Sequence, residues 1–181
     1  VSFLLRPPAG FLHLLPLAGG LAAAEALEKL ARVDISLKWP NDLLFKGKKI
    51  GGILCEAETL QTGQAEVIAG FGVNLNHRQE DFPEEVAGLA TSLLLITGKT
   101  YQPEELFQLL GKRFQFWYNK LKEGQAKLIV GRFEARLSFY PGQTLIIKER
   151  EGEVSGQFSG LAQDGSLILQ IGQESKKYYG S

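Results

Sequence analysis

The sequence is poor in several features, and each shortage excludes a class of protein. A single cysteine, Cys55, leaves no partner for a disulfide within the chain, which suits a cytoplasmic location. The 20 basic and 20 acidic side chains cancel, so there is no overall positive charge to hold a phosphate backbone, and nucleic acid is not an expected partner. Proline, glycine or charge interrupts each apolar run well before the roughly 18 residues of a membrane span.

Common motifs of nucleotide, metal and hydrolase chemistry are also missing. No glycine pattern fits a dinucleotide-binding turn or a Walker-type phosphate loop, so any use of ATP needs another fold. His13 and His77 have no cysteine or histidine at ligand spacing, so no metal site is predicted among the side chains. No nucleophile elbow occurs, and Cys55 in an apolar strand fits a core position better than a nucleophile.

The spacing of apolar residues predicts an α+β protein. A helix from Pro16 carries apolar residues three or four apart, with Glu25/Lys29 and Glu28/Arg32 as solvent-facing pairs. A second helix opens at Pro103, and five residues are predicted to form its buried stripe. They are Leu106, Leu110, Phe114, Trp117 and Leu121. Period-two alternation predicts strands at 33–37, 49–56 and 66–76.

The character of the chain changes after residue 137, so we predict two domains, 1–137 and 138–181. The second is a series of short strands, at 144–149, 153–161 and 167–171, with Asp164-Gly165 as a hairpin turn. Its roughly 45 residues are too few to enclose much core. We therefore expect a small β-barrel that packs on the first domain.

Glycine is concentrated on one face of two predicted strands. In the strand at 66–75, one face carries Val67, Ala69, Phe71, Val73 and Leu75, and the other carries Ile68, Gly70, Gly72 and Asn74. A face reduced to glycine leaves room for a flat ligand against the sheet, although a bulge or a closely packed helix would also explain it. Gly51 and Gly52 thin the preceding strand in the same way, and two such strands favour a ligand site.

Polar residues follow the strand that ends at Lys38. A cation, the Asn41 amide and the Asp42 carboxylate at a strand end could hold phosphate oxygens and a bound Mg²⁺. The alternative is a solvated turn in which Asp42 caps backbone amides. The residue types alone favour the solvated turn.

Three segments, in this order and spacing, resemble the core of the biotin protein ligases. They are Lys38-Trp39-Pro40-Asn41-Asp42, Lys49-Ile50-Gly51-Gly52-Ile53-Leu54 and Gly70-Phe71-Gly72-Val73-Asn74. The stretch Ala90-Thr91-Ser92-Leu93 is similar to the family's segment near the adenine, and the tail is similar to its SH3-like C-terminal domain. The resemblance implies a mixed β-sheet with flanking helices, like that of class II aminoacyl-tRNA synthetases, followed by a small SH3-like β-barrel.

The same resemblance implies a two-step reaction. Biotin and Mg·ATP give biotinyl-5′-AMP and pyrophosphate, and a lysine of a biotin carboxyl carrier protein then takes the biotinyl group. Mg²⁺ would be held through the phosphates. The implied catalytic residues are Lys49, Lys38 and Asp42. The implied biotin contacts are Lys49, Gly51, Gly52, Ile53, Leu54, Gly70 and Gly72, and the implied ATP contacts are Lys38, Trp39, Asn41, Asn74, Thr91 and Ser92.

The chain departs from the family's pattern at its start. Family members carry an arginine- and glycine-rich loop and a Ser-Thr-Asn-like segment upstream of the position of Val1, so the resemblance predicts an N-terminally truncated catalytic domain that is inactive alone. A homodimer is possible. Two alternatives stay open: a non-catalytic nucleotide- or partner-binding or oligomerisation module of the same descent, and a lipoate protein ligase-like enzyme.

Overall fold

The computed structural model describes residues 1–7, 10–59, 65–149 and 152–180. The strands are β1 (Ser2–Leu5), β2 (Ser36–Lys38), β3 (Asp42–Phe45), β4 (Lys48–Thr59), β5 (Ala65–Val73), β6 (Thr144–Glu149), β7 (Gly152–Leu161), β8 (Leu167–Ile171) and β9 (Glu174–Tyr178). The helices are α1 (Leu15–Ala31), α2 (Leu93–Thr97), α3 (Pro103–Lys122) and α4 (Ala126–Glu134). The predicted α+β class is confirmed. In the described part of the chain, no helix is both long and apolar enough to cross a bilayer.

The larger sheet has the strand order β1-β5-β4-β3-β2, and its neighbouring strands are antiparallel. Parallel pairing in this part of the structure occurs as isolated bridges, Leu37 with Leu137 and Lys49 with Ala90. The alternation predicted for β5 is confirmed. Val67, Ala69 and Phe71 are buried, whereas the intervening positions face outward and Ile68 is 48% exposed. This leaves an inner, apolar face and an outer, glycine-thinned face.

Helix α1 packs on the inner face of the sheet, and α3 and α4 pack on α1. Phe114 of α3 also contacts the rings of Phe3 and Phe71 in the sheet. Two adjacent glycines allow the close approach. A Cβ at Gly19 would lie 3.1 Å from Ile53 Cγ2, and one at Gly20 would lie 3.0 Å from the Phe133 ring. The whole predicted stripe of α3 is buried. The core is therefore a helical layer backing the sheet, which holds the outer face in place from behind.

The predicted solvent-facing pairs of α1 are wrong. Glu25 lies 3.7 Å from Arg113 of α3, and both oxygens of Glu28 accept hydrogen bonds from Arg136, just after α4. Because α1 is covered by two helices as well as by the sheet, its carboxylates lie where α1 contacts the neighbouring segments. Arginines from those segments pair with them there. The paired Glu28 carboxylate raises the pKa of Arg136.

The C-terminal sheet is an antiparallel meander, β6-β7-β8-β9. The three predicted strands are confirmed, and β9 was missed because its sequence, ESKKY, has a single apolar residue at the end. The buried residues of this sheet are Phe158, Leu167, Leu169 and Tyr178. Trp39 and Leu137 from the first part of the chain pack against them. The predicted packing of the tail on the first domain is confirmed.

Candidate functional site

Four residues form a continuous row across the outer face of the larger sheet. Lys38 is opposite Asp42, Asp42 is opposite Gly52, and Gly52 is opposite Gly72 on the four successive strands. Directly opposite residues of antiparallel strands point to the same side of the sheet. The row therefore places a cation and a carboxylate beside a flat floor of two glycines.

A second row lies two residues further along the strands, on the same face of the sheet. Leu54 is opposite Gly70, and Gly70 is opposite Ser2. An open groove of about 410 Å³ is lined by the second row and by Asp42, Gly52 and Gly72 of the first row, whereas Lys38 lies beyond its edge. The atom nearest to a Cβ at Gly72 would be Gly52 O, 4.0 Å away. The atoms nearest to a Cβ at Gly70 would be Leu54 O and Ser2 Oγ, each 3.6 Å away. These two glycines therefore leave open space above the sheet, which close packing would have filled.

A β-bulge brings Lys49 to the groove. The register shifts by one residue between Leu43, which pairs with Gly51, and Leu44, which pairs with Lys49. The Lys49 ammonium lies 2.5 Å from Asp42 Oδ1, and its Cε lies 3.5 Å from the position of a Cβ at Gly52. The Lys49 side chain is 52% exposed. An approaching anion can therefore reach this ammonium without displacing core residues.

The structure separates the residues of the 51–54 segment. Gly52 and Leu54 face outward, and Leu54 is 56% exposed. Ile53 is 2% exposed and packs on α1. A Cβ at Gly51 would collide with the backbone oxygen of Gly72. Gly52 and Leu54 are therefore the residues of this segment whose outer sides a ligand can contact. A glycine is required at position 51 because the neighbouring strand packs too closely for a side chain.

The segment 89–91 holds the backbone of Lys49. The Lys49 amide donates to Leu89 O at 2.8 Å, and the Thr91 amide donates to Lys49 O at 2.9 Å. Asn74 fixes this segment, because its Nδ2 donates to Thr91 O at 3.1 Å while its own amide donates to Ile50 O. Leu89 is 69% exposed next to this contact. Sequence reasoning missed Leu89, since no pattern predicts pairing between segments 40 residues apart.

Two residues predicted to bind ATP have buried side chains. Thr91 is 7% exposed and Ser92 is fully buried. The Ser92 hydroxyl donates to His77 O at 2.6 Å and accepts from the Leu95 amide at 3.1 Å, which caps α2. The geometry gives both residues a positioning role behind Lys49, and their contact with nucleotide stays a prediction.

Asn41 and Trp39 are held by different parts of the molecule. Asn41 Nδ2 donates to Ile53 O at 2.7 Å, and Asn41 O accepts from the Ile53 amide at 2.9 Å, so this residue is fixed to β4. Trp39 Nε1 donates to Gly165 O of the C-terminal sheet at 2.9 Å. Asn41 borders the groove, whereas Trp39 faces the C-terminal sheet.

A second cavity of about 250 Å³ lies between the two sheets, and Trp39, Cys55, Ser166 and Tyr179 are among the residues that line it. Its wall is mainly apolar, and burial raises the pKa of the Cys55 thiol to about 11. Cys55 is therefore protonated at neutral pH and is a poor nucleophile, as the sequence indicated. Among the described residues, no three His, Cys, Asp or Glu side chains lie close enough together to hold a metal ion.

The groove is chemically suited to a ligand with a flat body and an anionic end. The glycine rows accept the body, and the ammonium of Lys49 with the nearby Lys38 attracts the anion. Among known proteins, a model of the biotin/lipoate A/B protein ligase family matches residues 4–74, which include this floor. The biotin–[acetyl-CoA-carboxylase] ligase of Paracoccus denitrificans is 33% identical over 176 residues, covering 90% of this chain and 73% of the relative.

The chain belongs to the biotin protein ligase family. A biotin protein ligase from Aquifex aeolicus, solved in complex with biotin and ATP, superposes with a TM-score of 0.84 at 34% identity, covering 99% of this chain and 74% of that one. The bifunctional ligase/repressor BirA of Bacillus spizizenii is 29% identical over 181 residues. That alignment covers 99% of this chain, which spans 55% of the repressor's length. The predicted family and fold class are confirmed.

Proposed function

We propose that this protein is a biotin–[biotin carboxyl carrier protein] ligase that activates biotin with ATP and transfers it to a carrier lysine. The observation that carries the proposal is the glycine floor of Gly52, Gly70 and Gly72 beside the paired Lys49 and Asp42. This arrangement lies in a chain that belongs to the biotin protein ligase family, and the Aquifex aeolicus ligase of 34% identity has been solved with biotin and ATP. The groove has room for the flat ring system of biotin against the sheet.

In the first step, a carboxylate oxygen of biotin attacks the α-phosphorus of ATP. The new oxygen–phosphorus bond makes the mixed anhydride biotinyl-5′-AMP, and the bond from the α-phosphorus to the bridging oxygen breaks, so that pyrophosphate leaves. Both partners are anionic, so they repel each other unless a cation lies between them. Lys49 is suited to this role, because its side chain passes over Gly52 and its ammonium lies beside Asp42 at the glycine floor. A fixed cation stabilises the charge that develops on the phosphate oxygens in the transition state.

Lys38, Asn41 and Asn74 would act on the phosphate side. Each asparagine uses its Nδ2 for a backbone carbonyl, so its Oδ1 points elsewhere and stays available as an acceptor or a cation ligand. In the described part of the chain, carboxylates are not clustered for a resident metal, which fits an Mg²⁺ ion that is held mainly by the phosphates of ATP. That ion would supply further neutralisation of phosphate charge.

In the second step, the amine of a carrier lysine attacks the mixed anhydride and AMP leaves. The attacking amine must lose a proton, and Asp42 is the carboxylate at the edge of the groove that could accept it. Its side chain is 22% exposed and is paired with Lys49. Once Lys49 binds an anionic ligand, Asp42 would share that cation with the ligand.

The division at residue 137 and the SH3-like nature of the tail are parts of the same proposal. Backbone hydrogen bonds join Leu37 and the segment around Leu137 just before the chain enters the C-terminal sheet. The four-stranded meander with one small core is consistent with a barrel-like domain. A carrier protein as partner and a cytoplasmic location follow from the proposed reaction.

The test is biotinylation of a carrier domain. The protein is mixed with biotin, Mg·ATP and a biotin carboxyl carrier domain, and the carrier is weighed by mass spectrometry. We expect the mass increase of one biotinyl group, and none when ATP is omitted. Labelling by lipoate in place of biotin would favour the lipoate ligase alternative, and no labelling by either acid would favour a non-catalytic module.

A further inference from the structure

The C-terminal sheet holds the turn that leads into the candidate site. Trp39 Nε1 donates to Gly165 O at 2.9 Å across 126 residues of sequence. A Cβ at Gly180 would lie 2.5 Å from Pro40 Cβ and 3.8 Å from Trp39 Cζ2, so the segment after β9 packs directly on the same turn. Trp39 and Pro40 are therefore contacted by two separate parts of the C-terminal region.

Gly165 is suited to this contact by its backbone and by its lack of a side chain. Its φ of +82° is a left-handed conformation that other residues adopt at a cost. A Cβ there would lie 3.0 Å from Leu14 Cδ2, just before α1. The β7–β8 hairpin can therefore approach α1 closely enough for Gly165 O to reach the indole.

Asp164 fixes the conformation of this hairpin. Its Oδ1 accepts from the hydroxyl of Ser166 at 2.5 Å and from the Ser166 amide at 3.0 Å, on the far side of Gly165. Its Oδ2 accepts from Lys177 at 3.1 Å and from the Tyr179 hydroxyl at 3.4 Å. The hydrogen bonds from Ser166, followed by that from Lys177, lower the pKa of Asp164 to about 2. At neutral pH this carboxylate is therefore ionised and accepts these hydrogen bonds as an anion.

The residues that follow Trp39 and Pro40 in sequence connect this turn directly to the groove. Asn41 directly follows Pro40 and makes two hydrogen bonds with Ile53 of β4. Asp42 then lies opposite Gly52 and is paired with Lys49. A displacement of Trp39 would therefore move the backbone that carries the Lys49–Asp42 pair, and misplacement by about 1 Å can cost on the order of 10²-fold in rate.

We propose that Asp164 is a positioning residue for the adenylation site, acting through Gly165 and Trp39, although it lies in the β7–β8 turn and does not line the groove. The proposal rests on the proposed function for its activity readout. It assigns the hairpin a role in catalysis that is separate from the stability of the C-terminal sheet.

The test compares Asp164→Ala with Glu149→Ala in this protein. Glu149 is a matched control because it is a carboxylate of the same sheet that forms an exposed ion pair with Lys176 and, among the residues the structure describes, makes no contact with Ser166 or Gly165 in the hydrogen-bond and ion-pair network of the hairpin. We expect Asp164→Ala to lower kcat for pyrophosphate release by roughly tenfold with a smaller change in KM for biotin, and Glu149→Ala to resemble the wild type. We also expect Asp164→Ala combined with Trp39→Phe to lose no more than Trp39→Phe alone, because the two residues act on one path.

An NMR measurement separates this inference from the proposed function. In ¹⁵N-labelled protein, Asp164→Ala should shift the Trp39 indole signal and the Asp42 amide, and Glu149→Ala should leave both in place. If the wild type proves inactive, the shifts still support the coupling and the activity proposal alone fails. Unchanged Trp39 and Asp42 signals, equal kinetics of the two single variants, or additive losses in the double variant would each overturn the inference.

Discussion

Replacing Lys49 with alanine is expected to lower the rate of biotin adenylation by about 10²–10³-fold, the usual effect of removing one preorganised electrostatic group. The reaction joins two anions, and the Lys49 ammonium is the cation that the structure places over the glycine floor, 2.5 Å from Asp42. Its backbone is held by hydrogen bonds to Leu89 and from Thr91. The charge is therefore already in position and needs little rearrangement when the substrates bind.

The loss should be catalytic rather than structural. The Lys49–Asp42 pair is half exposed on the lysine side, and exposed ion pairs contribute about 0–1 kcal/mol to the free energy of unfolding. Pyrophosphate release from biotin and Mg·ATP is the measurement, with a thermal melt beside it. Lys48→Ala is the matched control, since it removes a neighbouring exposed lysine of the same strand. A near-normal rate in Lys49→Ala would remove this residue from the catalytic role.

Replacing Gly72 with valine is expected to weaken binding of biotinyl-5′-AMP by about 10- to 100-fold while the protein stays folded. The nearest atom to a Cβ at Gly72 is 4.0 Å away, so the free protein accommodates the new side chain, and a β-branched residue suits an exposed strand position. The bound ligand needs that same volume. Overfilling a packed space costs about 1–3 kcal/mol, and each 1.4 kcal/mol is tenfold in affinity.

Gly51→Ala is the contrasting variant. Gly51 precedes Gly52 on β4, but its Cβ would collide with Gly72 O across the ladder. We therefore expect this variant to lose stability, whereas Gly72→Val keeps its melting temperature and loses affinity. Calorimetric titration and thermal melts of the two proteins measure both quantities. If Gly72→Val unfolds, or binds as tightly as the wild type, the glycine serves packing and the floor assignment is wrong.

Local alternation accounts for what the sequence predicted well. The buried face of β5, the glycines on its other face and the buried stripe of α3 follow from the periods of single elements, which the chain encodes locally. The placement of Gly70 and Gly72 on one outward face needed no knowledge of the rest of the fold. The three motif segments, which lie within 40 residues of one another, then indicated which neighbouring strands share the groove.

Contacts between distant segments could not be predicted in this way. The bulge that turns Lys49 toward Asp42 depends on the pairing of β3 with β4, and the 51–54 segment could not be divided into inner and outer residues until that register was known. The partners of Glu25 and Glu28 come from α3 and from the residues just after α4, both more than 80 residues away. The contact of Trp39 with Gly165 is of the same kind, because it arises from packing between two sheets.

We propose that biotinyl-5′-AMP lies on the outer face of the larger sheet, across the rows that contain Gly52, Gly70 and Gly72. The most direct test is to titrate ¹⁵N-labelled protein with biotinyl-5′-AMP and follow the backbone amide signals. The account predicts shifts that are largest at these three glycines and at Lys49. Shifts centred instead on Cys55, Gly165 and Tyr179, around the cavity between the two sheets, would contradict it.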